Sequence, residues 1–267
     1  MTRRCFFAKR IDPDCGYVQL SPEASHHLEH VLRLRAGDRI EIRDGLGNVW
    51  EGEVSELNRG RVSVRLLEEV NLRVSESPVN ISLAFGLARS DLMDFVVRQA
   101  TETGVARLIA FRAARSQYGL TGRQVEKKLE RWSKIAAEAM CQCGRNKVPE
   151  ISVFYDLDEF LRSLAKRGAG DGTLKILALE RHSNIGLSYL RESRPRCSDI
   201  LAAIGPEGGW DDSEVSRLNN AGFESVHLGP RILRFETAAV ALVSSIQLLW
   251  GDFGETQEKE GHRDEMY

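Results

Sequence analysis

The sequence predicts an α/β protein in two parts: a small β-rich barrel, then a larger domain built on a largely parallel sheet. Three observations carry this reading. Within residues 1–72, short stretches alternate polar and apolar side chains, as half-buried strands do. From Val79 onward, apolar runs alternate with helical segments, the rhythm of β-α repeats. Two glycine-proline turns, at 205–209 and 229–230, each follow an apolar run and precede a helix.

In the first part, Ser21 is placed to cap a helix with Pro22 at its first position. Leu28, Val31 and Leu32 form the expected apolar face of that helix. Arg39 to Arg43 alternates as a strand, and Asp44-Gly45-Leu46-Gly47-Asn48 supplies a turn. Val49 to Val54 and Arg61 to Leu66 repeat the alternation. Short strands in this number suggest a small barrel, which leaves no exposed sheet edges.

A polar stretch from Asn71 to Pro78 reads as a linker. Strands are expected at Ile81–Phe85, Val105–Phe111, Leu174–Leu179, Ile200–Ile204 and Val226–Leu228. Helices are expected near Asp91–Thr101, Arg123–Cys143, Leu157–Arg167, Asp212–Asn220 and Glu236–Trp250. The division is 1–72, 73–251, and a polar tail at 252–267 expected to be disordered.

Composition narrows the class. Of the 267 residues, 42% are hydrophobic and 28% charged, the balance of a soluble globular chain with room for two domains. No apolar run is long enough to cross a membrane, and the first residues lack the apolar stretch of a secretory signal. A cytoplasmic location is expected. The five cysteines are odd in number, and Cys141 and Cys143 lie two apart, which fits neither a disulfide framework nor a zinc site. Net charge is −2, but the tail after Gly251 holds six acids against two bases, so residues 1–251 carry +2. Basic residues gather at Arg3, Arg4, Lys9 and Arg10, and again between Arg123 and Lys147. Such patches either contact phosphates or are ordinary solvated charge.

The segment from Ile200 to Asp211 is a buried strand running into Gly205-Pro206-Glu207-Gly208-Gly209. Three glycines in five residues let a backbone approach a ligand closely. Ligands of open α/β sheets bind at the carboxyl ends of strands. Asp211 and Glu214 have the spacing of a capping box. In the second segment, Leu228-Gly229-Pro230-Arg231-Ile232-Leu233-Arg234, a strand again meets a turn, and Glu236 and Thr237 open a helix. Glu236 suits the dipole of a helix N-terminus, so a structural role is open beside a chemical one. His26 and His30, four apart, share a helix face without the carboxylates of a metal site.

These two segments together resemble the paired signature of the RsmE family of 16S rRNA uridine-N3 methyltransferases, within the SPOUT superfamily. The likeness extends upstream. Glu102-Thr103-Gly104-Val105 is similar to a family block from which Gln99 and Thr103 depart. Arg115-Ser116, Gln142-Cys143-Gly144-Arg145, and His27-Leu28 with Val31-Leu32-Arg33-Leu34 also match, so the likeness reaches about Gly251.

The resemblance implies a SPOUT α/β domain with a C-terminal trefoil knot, preceded by a PUA-like RNA-binding barrel. It implies homodimers, S-adenosyl-L-methionine as cofactor and 16S rRNA of the small ribosomal subunit as partner. Cofactor contacts fall on Leu179, Glu180, Ile204, Gly205, Pro206, Glu207, Gly208, Gly209, Leu228, Gly229, Ile232, Leu233, Arg234 and Thr237. The third of these loops lies around Leu179-Glu180-Arg181. RNA contacts are assigned to Arg3, Arg4, Arg10, Arg115 and Arg145. Residues 238–243 are apolar all round, as a helix covered on two sides is.

Methylating uracil N3 requires removal of its proton or stabilisation of the resulting anion. No metal is needed. Arg234 is the first candidate for stabilising that charge, since its guanidinium stays ionised and its fork suits oxygen acceptors. Glu207 and Glu236 are the carboxylates nearest the loops, each with a structural alternative, and the general base is left open. Two alternatives remain: a non-catalytic RNA-binding or assembly factor, and a related SPOUT ribose methyltransferase.

Overall fold

The computed structural model describes residues 4–9, 11–58, 60–70, 76–119, 121–166, 172–180, 183 and 185–254. Arg3, Arg10, Arg181, linker residues 71–75 and the tail from 255 lie outside the described residues.

The N-terminal unit holds β1 (Cys5–Phe7), β2 (Tyr17–Gln19), α1 (Pro22–His26), β3 (Arg39–Arg43), β4 (Val49–Asn58) and β5 (Arg61–Glu69). The strands form one sheet in the order β1-β3-β4-β5-β2. The pairing β1–β3 is parallel and the rest antiparallel. Among the described residues β1 and β2 are not bonded to each other, so the expected barrel is a ladder open along that seam. The three-residue strands β1 and β2 were not legible because three residues cannot display an alternation. Phe6, Leu28, Ile40, Ile42, Val54, Val62 and Val64 fill the core of this unit.

Ser21 caps α1 as expected, its Oγ accepting from the Ala24 amide at 3.1 Å. The helix then widens into a π turn (His27–Val31), in which the Leu32 amide reaches back to the His27 carbonyl. An i→i+5 turn rotates the following side chains away from α-helical phase. Leu28 accordingly stays buried, while Val31, expected on the apolar face, is 61% exposed.

The larger unit contains β6 (Asn80–Gly86), α2 (Ser90–Glu102), β7 (Arg107–Phe111), α3 (Gly122–Cys143), β8 (Glu150–Phe154), α4 (Leu157–Lys166) and β9 (Leu174–Leu179). It continues with α5 (Leu187–Ser193), β10 (Asp199–Ile204), α6 (Asp212–Asn220), β11 (Glu224–His227) and α7 (Phe235–Trp250). Six parallel strands lie in the order β11-β9-β10-β6-β7-β8. The sequence reading missed β8 and α5; Pro149 just before β8 obscured a strand signal. After their polar first residues, Asn80 and Asp199, strands β6 and β10 are buried throughout because helices cover both faces. Side chains of α2, α3, α5 and α7 pack one face, around Met93, Val96, Trp132, Leu190 and Leu242. Leu157, Phe160 and Leu218 of α4 and α6 pack the other.

The chain runs outward from β6 to β8, then crosses to the far side and inserts β10 between β9 and β6. The carboxyl ends of β6 and β10 therefore meet at a change of winding direction, where open α/β sheets form ligand crevices. From edge strand β11 the chain returns to lay α7 against α2, β10 and β6.

A buried polar knot joins the two units. Arg145, expected at an RNA surface, is only 4% exposed. Its Nε and Nη2 donate to Glu76 Oε2 at 3.0 and 2.7 Å. Its Nη1 donates to the carbonyls of Thr101 and Val105 at 2.7 and 2.9 Å. Glu76 Oε1 accepts from the amides of Asn146 and Lys147, both at 3.0 Å. Buried Arg43 of β3 donates to the Arg145 carbonyl and to Glu41. The guanidinium of Arg145 is thus consumed inside the protein, which corrects its assignment to RNA contact. Removing one partner of a buried ion pair leaves an uncompensated charge. Glu76→Ala should therefore cost about 3–5 kcal/mol of stability, read as a lowered urea midpoint, and Glu76→Gln should cost less.

Candidate functional site

Strand β10 ends at buried Ile204 and hands the chain to Gly205–Gly209. The turn closes with the Gly209 amide on the Pro206 carbonyl at 2.9 Å, and Gly209 has φ +72°. A Cβ at Gly208 would lie 3.0 Å from the Arg115 carbonyl oxygen, so a side chain there forces the 113–116 loop aside. The helix after this turn is capped as the sequence indicated. Asp211 Oδ1 accepts from the Ser213 amide at 3.0 Å, and Glu214 Oε2 accepts from the Asp211 amide at 3.2 Å. The other oxygen of buried Glu214 accepts from the Ala114 amide at 2.8 Å, tying the loop after β7 to α6. Hydrogen bonds from Ser213, first from its side chain and then from its amide, hold the Asp211 carboxyl below its ordinary 3.8. A lowered value means that this cap is intact above the carboxylate range and loosens only as pH falls through the depressed value.

Trp210 joins two loops. Its indole Nε1 donates to the Ala178 carbonyl at the end of β9, at 3.1 Å, and its ring stacks on Phe111 with centroids 6.1 Å apart. Glu207 reaches across to α2: Oε2 accepts from the Arg89 amide at 3.0 Å, and Oε1 lies 3.4 Å from Arg89 Nε. That carboxylate caps the start of α2 and pairs with a guanidinium, the structural alternative anticipated for it.

The second loop begins at His227. Its amide donates to the Ile185 carbonyl, and its Nδ1 accepts from the Gly229 amide at 3.1 Å. An accepting Nδ1 requires a neutral imidazole with its proton on Nε2. Gly229 has φ +98°, which glycine alone adopts without cost. Arg234 is the N-cap residue of α7, in extended conformation, and contributes no side-chain cap.

Together these loops enclose a cavity of about 430 Å³ at the carboxyl edge of the sheet. Of the residues assigned to the cofactor, all but Thr237 line it. Thr237 is exposed; Phe235 and Ala238 on either side of it turn to the cavity, and the helical step directs Thr237 outward. Glu236, one of the two candidate bases, lines it too, as do Arg89, Leu92, Ala178, Trp210, Arg231, Phe235 and Ala238, which lie outside the predicted set. The position of Arg89 and Leu92 just past β6 was a usable signal, since ligands gather at strand carboxyl ends. Among the described residues, Arg231, Arg234, Glu180 and Glu236 form no ion pair, whereas Arg89 and Glu207 do. Arg115 sits beside the glycine turn, 51% exposed, with Nη2 3.6 Å from Asp211. Exposed Arg4 pairs with Asp38 at 3.8 Å. The rings of His26 and His30 meet edge to face, with centroids 4.4 Å apart.

A glycine-lined cavity at the winding reversal of a parallel sheet, behind a β-rich unit, places this chain in the class of two-domain RNA methyltransferases. Residues 75–247 match the family described as RNA methyltransferase domain, and residues 20–67 match the RNA methyltransferase PUA domain. The chain belongs to the RsmE family, the ribosomal RNA small subunit methyltransferases E. The Bacillus subtilis member is 34% identical over 241 residues, 87% of this chain and 92% of its own. The Synechocystis member is 34% identical over 233 residues, 87% of this chain and 73% of its own. The Neisseria gonorrhoeae member, solved bound to S-adenosyl methionine, superposes with TM-score 0.80 at 30% identity, covering 94% of this chain and 99% of its own.

The turn at His227 yields a direct test. His227→Ala should expose the Gly229 amide, raising its hydrogen-exchange rate about tenfold for one net hydrogen bond. His227→Asn, whose Oδ1 can accept in place of Nδ1, should restore protection.

Proposed function

We propose that this chain methylates N3 of a uracil in 16S rRNA, with S-adenosylmethionine bound in the cavity between the three loops. The observation that carries the reading is the cavity itself. Three strand ends converge on it, glycine backbone lines it, and Arg231 and Arg234 line it without an ion pair among the described residues. Its chemistry fits the cofactor. Ile204, Leu228, Leu233 and Ala238 offer an apolar bed for a purine, and the Glu180 carboxylate can accept from ribose hydroxyls. When bound, S-adenosylmethionine supplies an electrophilic methyl group.

The protein's own side chains then divide the remaining work. Glu207 is committed to Arg89 and the start of α2, which leaves Glu236 and Glu180 as the lining carboxylates free to accept a proton. Arg234, unpaired and adjacent to Glu236, is assigned to stabilising negative charge on a uracil oxygen as N3 loses its proton. Arg231 and Arg115 are assigned to phosphates, which position RNA without reading its sequence. Arg4 extends that basic surface onto the PUA-like unit.

Three further readings belong to the same proposal. The return of the chain from edge strand β11 to the centre of the sheet is taken as the path of a C-terminal trefoil knot. The boundaries 1–72 and 73–251 are taken as those of the RNA-guiding and catalytic domains. Homodimerisation is assigned to the outer face of α7, where Val240 and Ala241 are half-covered and Leu248 is 61% exposed. No helix among the described residues is long and apolar enough to cross a membrane. A cytoplasmic location is the reading that work on ribosomal RNA supports.

Two experiments test the proposal. Mass mapping of 16S rRNA from cells lacking this chain should show one uracil without its base methyl. Wild-type protein should restore the methyl. Arg234→Gln should fail to restore it, with turnover reduced about 10²-fold, the scale for losing one charge-stabilising donor. A missing ribose methyl, or no missing methyl, would overturn the reading. Gly208→Val, which drives a branched side chain against the Arg115 carbonyl, should abolish cofactor binding in calorimetry while the protein stays folded.

A further inference from the structure

The basic stretch between Arg123 and Lys147 is only partly accounted for, since Arg145 is buried in the inter-unit knot. Its other long cations lie mainly on the exposed side of α3. Arg123, Lys127, Arg131 and Lys134 follow one another at steps of four, four and three, so they form a single stripe along the helix. Between Arg123 and Lys134 there are five cations against Glu126 and Glu130, in a protein whose net charge is −2. Charge is thus concentrated on this helix rather than spread over the surface.

The stripe borders a groove of about 770 Å³ between α2 and α3. Asp94 on the α2 side is already consumed, accepting from Arg131 Nε at 2.8 Å and from the Trp132 indole at 3.1 Å. Arg98 and Lys127 line the groove and have no ion-pair partner among the described residues. Phe95, 41% exposed, lines the same groove, together with Ile135 and the carboxylates of Asp91 and Glu130. An open aromatic face flanked by unpaired cations is the combination that binds single-stranded nucleic acid, by stacking a base and neutralising phosphates.

The groove has a direction. At one end, Lys134 is 3.3 Å from Glu23 of α1, in the PUA-like unit. That pair is exposed on both sides, so it holds Lys134 only weakly and leaves it available. At the other end, Lys128 bonds Ser90 at the start of α2, next to Arg89, which lines the methyl-transfer cavity. The groove therefore runs from the PUA-like unit to the cavity.

We infer that the α2–α3 groove seats a single-stranded segment of the substrate RNA, with Arg98 and Lys127 on phosphates and Phe95 stacked on a base. This rests on the RNA-methylating reading above and adds the track by which RNA bound at the N-terminal unit reaches the cavity.

The test measures binding of 16S rRNA across a salt series by the full chain and by two charge-matched double variants. Arg98→Gln with Lys127→Gln removes the groove cations. Arg162→Gln with Lys166→Gln removes the same charge from α4, on the opposite face of the sheet. The groove variant should bind more weakly, and its log–log salt slope should fall by about 1.4, from about 0.7 per single-strand phosphate contact. The α4 variant should match wild type. Phe95→Ala should weaken binding without changing the slope. Cofactor affinity, oligomeric state and thermal midpoint should be unchanged in all three. Equal losses in the groove and α4 variants would overturn the track, because the effect would then be net charge alone. A changed oligomeric state in the groove variant would overturn it in favour of a second copy of the chain as occupant. If wild type binds 16S rRNA and the groove variant binds it equally well, the track fails while the methylating reading stands. If wild type does not bind the RNA, both fail.

Discussion

The site depends on one close approach. Where the turn after β10 crosses the end of β6, a Cβ at Gly86 would lie 2.7 Å from Pro206 Cδ and 2.8 Å from Pro206 N. Only a glycine lets the proline ring settle there. With Pro206 seated, Glu207 reaches the Arg89 amide, Gly208 lies against Arg115, and Trp210 reaches the Ala178 carbonyl. Each contact ties the turn to a different neighbouring strand end. Steric fit at one backbone position is thereby converted into a cavity with three fixed walls, and a bulkier residue at position 86 would lift the whole turn.

Carboxylates around this turn fall into two groups, and the physical reason is geometric. Glu207, Asp211 and Glu214 sit where backbone amides at helix starts or loop ends have no helical partner, so they accept those donors. Glu180 and Glu236 line the cavity without such obligations. The arginines divide likewise. Arg89 is held by Glu207, whereas Arg231 and Arg234 line the cavity with no ion-pair partner among the described residues. A site for an electrically positive cofactor and an anionic polymer needs both signs available, and structural demands have removed only the charges that cap helices.

Coupling between the two units is polar as well as apolar. The Glu76–Arg145–Arg43 knot satisfies main-chain groups at the end of α2, before β7 and after α3, with the Arg43 side chain of β3 as one of the donors. Nearby, the Val148 amide donates to the Gly45 carbonyl, and a Cβ at Gly45 would lie 2.7 Å from Val148. Apart from Arg43 Nε, which has no hydrogen-bond partner among the described residues, the guanidinium nitrogens of this network are all bonded. Such a network sets a single relative placement, since a shift leaves a charge without partners. The α3 helix, anchored at this knot, carries its cationic stripe from one unit to the other.

The sequence alone determined the α/β class, most of the long elements, both glycine turns and the Asp211–Glu214 cap. These are local signals: periodicity over several residues, a turn composition, a spacing of three. All but one of the cofactor residues it selected line the cavity, because loops at strand ends are marked by glycine and proline. Three kinds of feature were decided only by the tertiary structure. Short strands such as Cys5–Phe7 exist because neighbours pair with them, and nothing local announces that. The π turn after α1 moved Val31 from the expected core to solvent through one extra residue per turn. Charged residues carry no local record of their partners: Arg145 and Arg234 both looked like ligand contacts in the sequence. One is buried against Glu76, sixty-nine positions away, and the other lines the cavity without an ion pair among the described residues, because only the folded chain decides which charges meet.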